Sequence, residues 1–264
     1  MPYFSLKNVN NSRPVAKIEG GINHGSFIYL VDEPTEYLRN DTSLKNELLS
    51  VINGKRKEII LNDGTLIPIP RTDKRDTFYI AGPEGSGKTY LSSMIIKQYK
   101  KMFKKNPFFV FSKIEEDEVL DKLNPTRIEL NEELLYDPIE VNELNDSIIL
   151  FDDIDTIHDK KLLEELRRIR DSILEIGRHH NAYIISTAHN MTNNKATKMS
   201  ILESANVCFF PKMGDSYHIN RYLKEYGGLS NDQIRKIYEL PTRWVLHHKR
   251  APNYIMHEKG IYLL

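Results

Sequence analysis

The sequence predicts an α/β fold: a mainly parallel sheet flanked by helices, preceded by a small β-rich segment. Three observations carry that reading. From Thr77 onward, short apolar runs alternate with helical runs, the pattern of strands joined by crossover helices. A glycine-rich run, Gly82-Pro83-Glu84-Gly85-Ser86-Gly87-Lys88-Thr89, stands between one such apolar run and a helical one. Further on, Ile148-Ile149-Leu150-Phe151 leads directly into two carboxylates, Asp152 and Asp153.

Residues 1–70 read as a β-rich appendage and residues 71–264 as the main domain. In the appendage, β-like runs over Val15–Ile18, Ser26–Val31, Glu58–Leu61 and Thr65–Ile69 flank a helical stretch over Thr42–Ile52. Asn62-Asp63-Gly64 between two of those runs predicts a hairpin. Pro68, Pro70 and the charged stretch Arg71–Asp76 read as a linker. The main domain is expected to place strands at Thr77–Ala81, Pro107–Ser112, Thr126–Leu130, Ser147–Phe151, Ala182–Thr187, Asn206–Phe210 and Arg243–His247. Helices are expected at Thr89–Phe103, Glu115–Leu123, Asp159–Ile176, Ala196–Ser204, Asp215–Tyr226 and Asn231–Glu239. Ser230 with Gln233 has the spacing of a capping box for the last helix, and Arg250-Ala251-Pro252-Asn253 reads as the turn of a closing hairpin.

The glycine-rich run fits the P-loop pattern G-x-x-x-x-G-K-[ST]. Its glycines let successive backbone N–H groups point inward at a phosphate chain. Gly82 through Thr89 are therefore the candidate nucleotide-binding residues. Lys88 opens the following helix and can reach the terminal phosphates of ATP, and the Thr89 hydroxyl can ligate Mg²⁺.

The acids complete the pattern. A buried strand that delivers a carboxylate at its C-terminal edge puts it where ligands bind in open α/β sheets. Asp152 is then the Walker B acid that holds Mg²⁺ together with Thr89. Asp153 is placed to orient or deprotonate the attacking water, with Asp155 as a weaker substitute. Lys88 and Asp152 are 64 residues apart (152 − 88). That insertion resembles the additional-strand P-loop ATPases, in which another strand lies between the P-loop and Walker B strands.

A basic helix follows. Arg167, Arg168 and Arg170 read as a solvated face pairing with Glu164 and its neighbours. Arg178 stands after Gly177 and before an apolar strand. It can cap the helix dipole, or emerge at a domain edge to complete a neighbouring subunit's site. His189 and Asn190 end that strand, where a polar group can contact the terminal phosphate or the attacking water. His179, His180, His247 and His248 lack metal-like spacing, so no metal beyond Mg²⁺ is expected.

The segments GPEGSGKT, ILFDD and GRHHNAYIISTAHN together resemble the genome-packaging ATPases of large eukaryotic DNA viruses, within the FtsK–HerA superfamily of DNA-pumping motors. The resemblance covers roughly residues 77–210. It implies a P-loop NTPase core of the additional-strand class and ATP hydrolysis with Mg²⁺. It also implies a homo-oligomer, a hexameric ring, acting on double-stranded DNA, with capsid components as partners and the host cytoplasm or virion as location. His189 stands where that family usually has a glutamine sensor, and Asp153 where glutamate is commoner. The segment Met191–Lys198, with Lys195 and Lys198, is the expected DNA-gripping loop.

Composition bounds these readings. The chain is 40% hydrophobic and 28% charged, with 37 basic and 37 acidic residues, so bulk charge does not attract nucleic acid and any DNA contact must be local. One cysteine, Cys208, excludes intramolecular disulfides and points to a reducing, intracellular setting. No apolar run approaches a membrane span. Two further enzyme readings remain: another ring or clamp P-loop ATPase acting on protein or replication intermediates, and a small-molecule phosphotransferase. A nucleotide-dependent structural switch is a non-enzymatic third.

Overall fold

The computed structural model describes residues 2–31 and 57–264, with residues 194 and 195 described in backbone only. The helix expected over Thr42–Ile52 lies outside these. The chain divides into two compact units, one of residues 1–71 with 241–264 and one of residues 72–240. The C-terminal segment, expected to close the main domain, thus groups with the N-terminal residues.

In the first unit, β1 (Tyr3–Ser5), β2 (Ser12–Glu19), β3 (Phe27–Val31), β4 (Glu58–Ile60) and β5 (Thr65–Pro68) come first in the chain. An antiparallel sheet forms in the order β1-β3-β2-β5. The hairpin expected around Asn62-Asp63-Gly64 does not form. Although the turn is there, with Gly64 at φ +74°, β5 pairs with β2 while β4 joins a different set of strands. Asp63 ties this turn to β2 instead, because its Oδ2 accepts the N–H of Ile22, in the loop that follows β2, at 3.0 Å. A Cβ on Gly64 would sit 2.5 Å from the carbonyl oxygen of Gly20, so the close approach of the two loops excludes a side chain there.

The second unit holds β6 (Thr77–Ala81), β7 (Phe108–Ser112), β8 (Thr126–Ile128), β9 (Ile148–Asp152), β10 (Tyr183–Ala188) and β11 (Asn206–Phe209). They lie in the order β11-β6-β10-β9-β7-β8, and the pairings between neighbours are parallel. The sequence reason is direct: β6, β9 and β10 are buried along their whole length, as strands covered on both faces must be. The helices are α1 (Lys88–Met102), α2 (Glu133–Tyr136), α3 (Lys160–Ile176), α4 (Asn194–Glu203), α5 (Ser216–Arg221) and α6 (Asn231–Glu239). A π-helical turn, Tyr222–Tyr226, follows α5.

Helix α3 shows how the layers lock. Asp159 caps it by accepting the N–H of Leu162 at 3.0 Å. Leu162, Leu166, Ile169 and Ile173 recur at helical spacing and enter a core with Phe111, Ile149, Phe151 and Ile184. In that core the rings of Phe111 and Phe151 stack with centroids 4.5 Å apart. Arg75, expected in a linker, instead satisfies the helix's last carbonyls, donating from Nη1 to Ile173 O and from Nη2 to Leu174 O at 2.5 Å each.

The helix expected over Glu115–Leu123 reduces to a 3₁₀ turn at Asp121–Leu123. Asp117 Oδ1 accepts the N–H groups of Val119 and Leu120 at 2.9 Å each, diverting donors that a helix would use. By contrast, α6 forms over the expected residues, with the Ser230–Gln233 capping box in place.

The first unit resumes with β12 (Val245–His248), β13 (Tyr254–His257) and β14 (Gly260–Leu263), an antiparallel meander that also takes in β4. The Arg250–Asn253 turn closes the β12–β13 hairpin, as expected. His247 is fully buried and its Nε2 lies 2.9 Å from Asn253 Oδ1. Burial pushes its pKa down to about 4. A depressed histidine contributes its full stability above its ordinary value near 6.5, and that contribution falls away progressively as pH drops from 6.5 to about 4. Denaturant titration should therefore show this unit losing about 2 kcal/mol or more between pH 7 and pH 5. A midpoint flat over that range would contradict a neutral, buried His247.

Candidate functional site

Strand β6 ends at Ala81, and the chain must turn at once from Gly82. A Cβ on Gly82 would meet the Phe210 ring at 2.5 Å and Ser86 Oγ at 2.7 Å, so only glycine fits. Pro83 O accepts the N–H of Ser86 at 3.2 Å, closing the turn through Pro83, Glu84 and Gly85. Gly85 and Gly87 adopt positive φ (+72° and +104°), which delivers the chain into α1 at Lys88. The first turn of α1 carries Lys88, Thr89 and the unpaired N–H groups that make a helix N-terminus an anion site.

Lys88 is buried at 6% exposure, and a buried ammonium must find acceptors. Its Nζ donates to Gly82 O at 3.0 Å and to Pro83 O at 3.4 Å, and pairs with Asp153 Oδ2 at 3.1 Å. The last contact links the P-loop to the acid pair.

Asp152 closes β9 opposite Ser112 of β7, whose hydroxyl donates to Asp152 Oδ2 at 3.4 Å. Burial, with the second charge of Asp153, raises the Asp152 pKa above the ordinary carboxylate range. Asp153 follows in the left-handed region, φ 45° and ψ 40°, which aspartate tolerates better than most residues. Its backbone N–H donates to Thr187 Oγ1 at 2.8 Å. The same hydroxyl lies 2.9 Å from Asp153 Oδ1 and 3.1 Å from Asp152 Oδ1. His189 Nε2 stands 3.2 Å from Asp153 Oδ2.

The fold therefore gathers Lys88, Asp152, Asp153 and His189 at one edge of the sheet. It does so because β10 lies between β6 and β9, so the end of β10 reaches both. The strand between the P-loop and acid strands is thus β10, which follows the acids in sequence, and not one from the 64-residue stretch before them. Thr187 is the residue that sequence reasoning missed. Its signal was available: a hydroxyl near the C-terminal end of an otherwise apolar strand.

Other expected residues go elsewhere. Asp155 pairs with Arg167 at 2.9 Å, so the substitute acid is engaged by α3. Arg170 is not on a solvated face; it is 4% exposed, pairing with Asp171 and donating to Ala196 O at 3.2 Å. Arg178 lies on the 3₁₀ turn Gly177–His180, exposed, with its Nε donating to His179 Nε2 at 3.2 Å. The length of β10, about 17 Å at 3.3 Å per residue, separates that turn from the acid edge. Gly177 is small for a local reason, since a Cβ there would meet Arg75 Nη1 at 2.5 Å. Within Met191–Lys198, the expected gripping loop, Met191, Thr192 and Thr197 are buried, the segment enters α4, and Lys198 stays exposed.

The donor set suits a hard divalent cation: a buried carboxylate beside a second one, with hydroxyls at Ser112 and in the first turn at Thr89. A cation there would offset the burial and the Asp153 repulsion that together raise the Asp152 pKa.

Residues 78–205 match the ATPase family associated with various cellular activities (AAA). The chain is also 38% identical over 260 residues to the uncharacterized protein V3 of Sputnik virophage, covering 97% of this chain and 98% of that protein. The chain carries an AAA-family P-loop ATPase domain and belongs to the same family as this virophage protein. Among solved structures, the ATPase resembles the pCW3 conjugation coupling protein TcpA with ATPγS. That likeness has a TM-score of 0.52 and 13% identity over 94% of this chain and 77% of that one, a likeness of fold. The genome-packaging NTPase B204 of Sulfolobus turreted icosahedral virus 2 matches with a TM-score of 0.46 and 13% identity, covering 70% of this chain and 97% of that one. Among the described residues of the ATPase, no helix is long and apolar enough to cross a membrane.

Substituting Asp152→Asn removes a buried charge facing another carboxylate while keeping an acceptor for Thr187. The nucleotide-free variant should melt at or above the wild-type temperature, and the extra stabilisation that Mg²⁺ gives in the presence of ATP should vanish. A variant that melts lower and keeps the Mg²⁺ increment would contradict this account of Asp152.

Proposed function

We propose that the chain is an oligomeric, ATP-hydrolysing motor that moves double-stranded DNA without reading its sequence, packaging a viral genome into a capsid. The observation that carries the reading is the division of the site. Lys88, Asp152, Asp153 and His189 converge at one edge of the sheet, while Arg178 stands exposed at the other. An arginine so placed cannot reach its own P-loop and is free to complete a neighbour's. The kinship with a virophage protein supports a viral setting, host cytoplasm or virion. The fold shared with a conjugation coupling protein is in keeping with work on DNA.

In this reading the backbone of Gly82–Gly87 and Lys88 hold the phosphates of ATP. Thr89 and Asp152 would hold Mg²⁺, which when bound would neutralise charge on the transferring phosphoryl group. Asp153 orients the attacking water and takes its proton. His189, on the same carboxylate oxygen as Lys88, senses whether the terminal phosphate is present. Arg178 of the next subunit, in a hexameric ring, stabilises the developing charge. Because the net charge is zero, DNA is gripped locally, with Lys198 an exposed candidate on the segment after His189.

ATPase rate measured with and without long duplex DNA, with the oligomeric state determined in the same tube, tests the proposal. Stimulation of an assembled species is expected, and Arg178→Ala subunits mixed into wild type should poison it more than proportionally. A DNA-independent rate from a monomer, unaffected by the Arg178 variant, would overturn it.

A further inference from the structure

Thr187 makes more polar contacts within the acid pair than a packing residue requires. It is 3% exposed, and a buried hydroxyl needs hydrogen-bond partners. Its oxygen accepts the Asp153 N–H at 2.8 Å, and its single proton faces two carboxylate oxygens, Asp153 Oδ1 at 2.9 Å and Asp152 Oδ1 at 3.1 Å. One hydroxyl proton serves one acceptor well at a time. The two acids therefore compete for it.

The backbone sharpens the point. Asp153 sits in the left-handed region just after a strand, a conformation that aspartate tolerates and that its surroundings here hold in place. Thr187 holds it at both ends, through the N–H and through Oδ1. The opposite oxygen, Oδ2, carries Lys88 at 3.1 Å and His189 at 3.2 Å. Of these partners, Lys88 is the one that bound phosphates would draw away. Thr187 and His189 then remain to fix the carboxylate.

We propose that Thr187 is a positioning residue for hydrolysis, which pins Asp153 in its left-handed turn and shares one hydroxyl proton between the two acids. With Asp152 serving as a cation ligand, its need for the hydroxyl proton would fall and the Thr187 hydroxyl would donate to Asp153. The arrival of the cation and the orientation of the base are thereby coupled through one side chain. The inference rests on the ATPase part of the proposed function and not on DNA movement.

The test is a Thr187→Val and Thr187→Ser pair. Each is assayed for kcat and KM, for ATP affinity by calorimetry with and without Mg²⁺, and for the melting temperature of the nucleotide-free protein. Valine keeps the shape and loses the hydroxyl, whereas serine keeps the hydroxyl and loses the methyl. The valine variant should lose about ten- to hundredfold in kcat, with KM and Mg²⁺-free ATP affinity within about threefold of wild type. It should also show a smaller Mg²⁺-dependent gain in affinity. Serine should restore kcat and the Mg²⁺ gain to within a few-fold. If valine is too unstable to assay, Thr187→Ala carries the same expectation. Equal damage by valine and serine, or a valine variant with kcat within twofold of wild type, would overturn the proposal. An intact valine–serine contrast in an enzyme that duplex DNA does not stimulate would sink the motor reading and leave this one standing.

Discussion

The carboxylate of Asp153 is the point on which the rest of the site depends. One oxygen meets Lys88 and His189, the other meets Thr187, and the backbone N–H meets Thr187 as well. The carboxylate and its partners arrive from three strand ends: Lys88 after β6, Asp153 after β9, and Thr187 and His189 from the end of β10. Only a sheet with β10 between the other two brings the three ends together. Strand order and parallel direction are therefore functional constraints here, because side chains at the C-terminal ends of parallel strands share an edge.

The energetics follow from burial. Lys88 and Asp152 are both nearly excluded from water, at 6% and 7% exposure. Removing the partner of a buried charge is strongly unfavourable, often by about 3–5 kcal/mol. The site meets that demand with two backbone carbonyls and one carboxylate around Lys88. A phosphate chain at the helix terminus would replace the carboxylate with another anion, so Lys88 keeps a counter-charge as it changes partners. Asp152 has no such symmetry: its pKa is raised by burial and by Asp153. A divalent cation is the ligand that would lower that strain.

Much of this was legible in the sequence because the relevant signals are local. The P-loop glycines, the apolar run into paired acids, and the polar end of the Ala182–Thr187 run all report backbone geometry within a few residues. What failed was non-local. Asn62-Asp63-Gly64 makes its turn, but Asp63 spends its carboxylate on a distant loop and the flanking strands go to different partners. Arg170 looks like its solvated neighbours until α4 packs over it. Arg75 sits in a charged stretch, yet the end of α3 claims its guanidinium. Thr187 could be seen as a hydroxyl at a strand end, but its neighbours depend on strand order, which no local pattern encodes. Asp117 shows the opposite failure, where a side chain overrides a helical pattern by taking the backbone donors itself.

The central claim is that Lys88 exchanges Asp153 for nucleotide phosphate while Thr187 and His189 keep hold of the Asp153 carboxylate. The most direct measurement is a high-resolution structure of the protein with Mg²⁺ and a non-hydrolysable ATP analogue. The account predicts Lys88 Nζ on phosphate oxygens and parted from Asp153 by more than about 4 Å, with Thr187 Oγ1 still within hydrogen-bond distance of Asp153. A bound state in which Lys88 stays paired with Asp153, or in which Asp153 leaves Thr187, would contradict it.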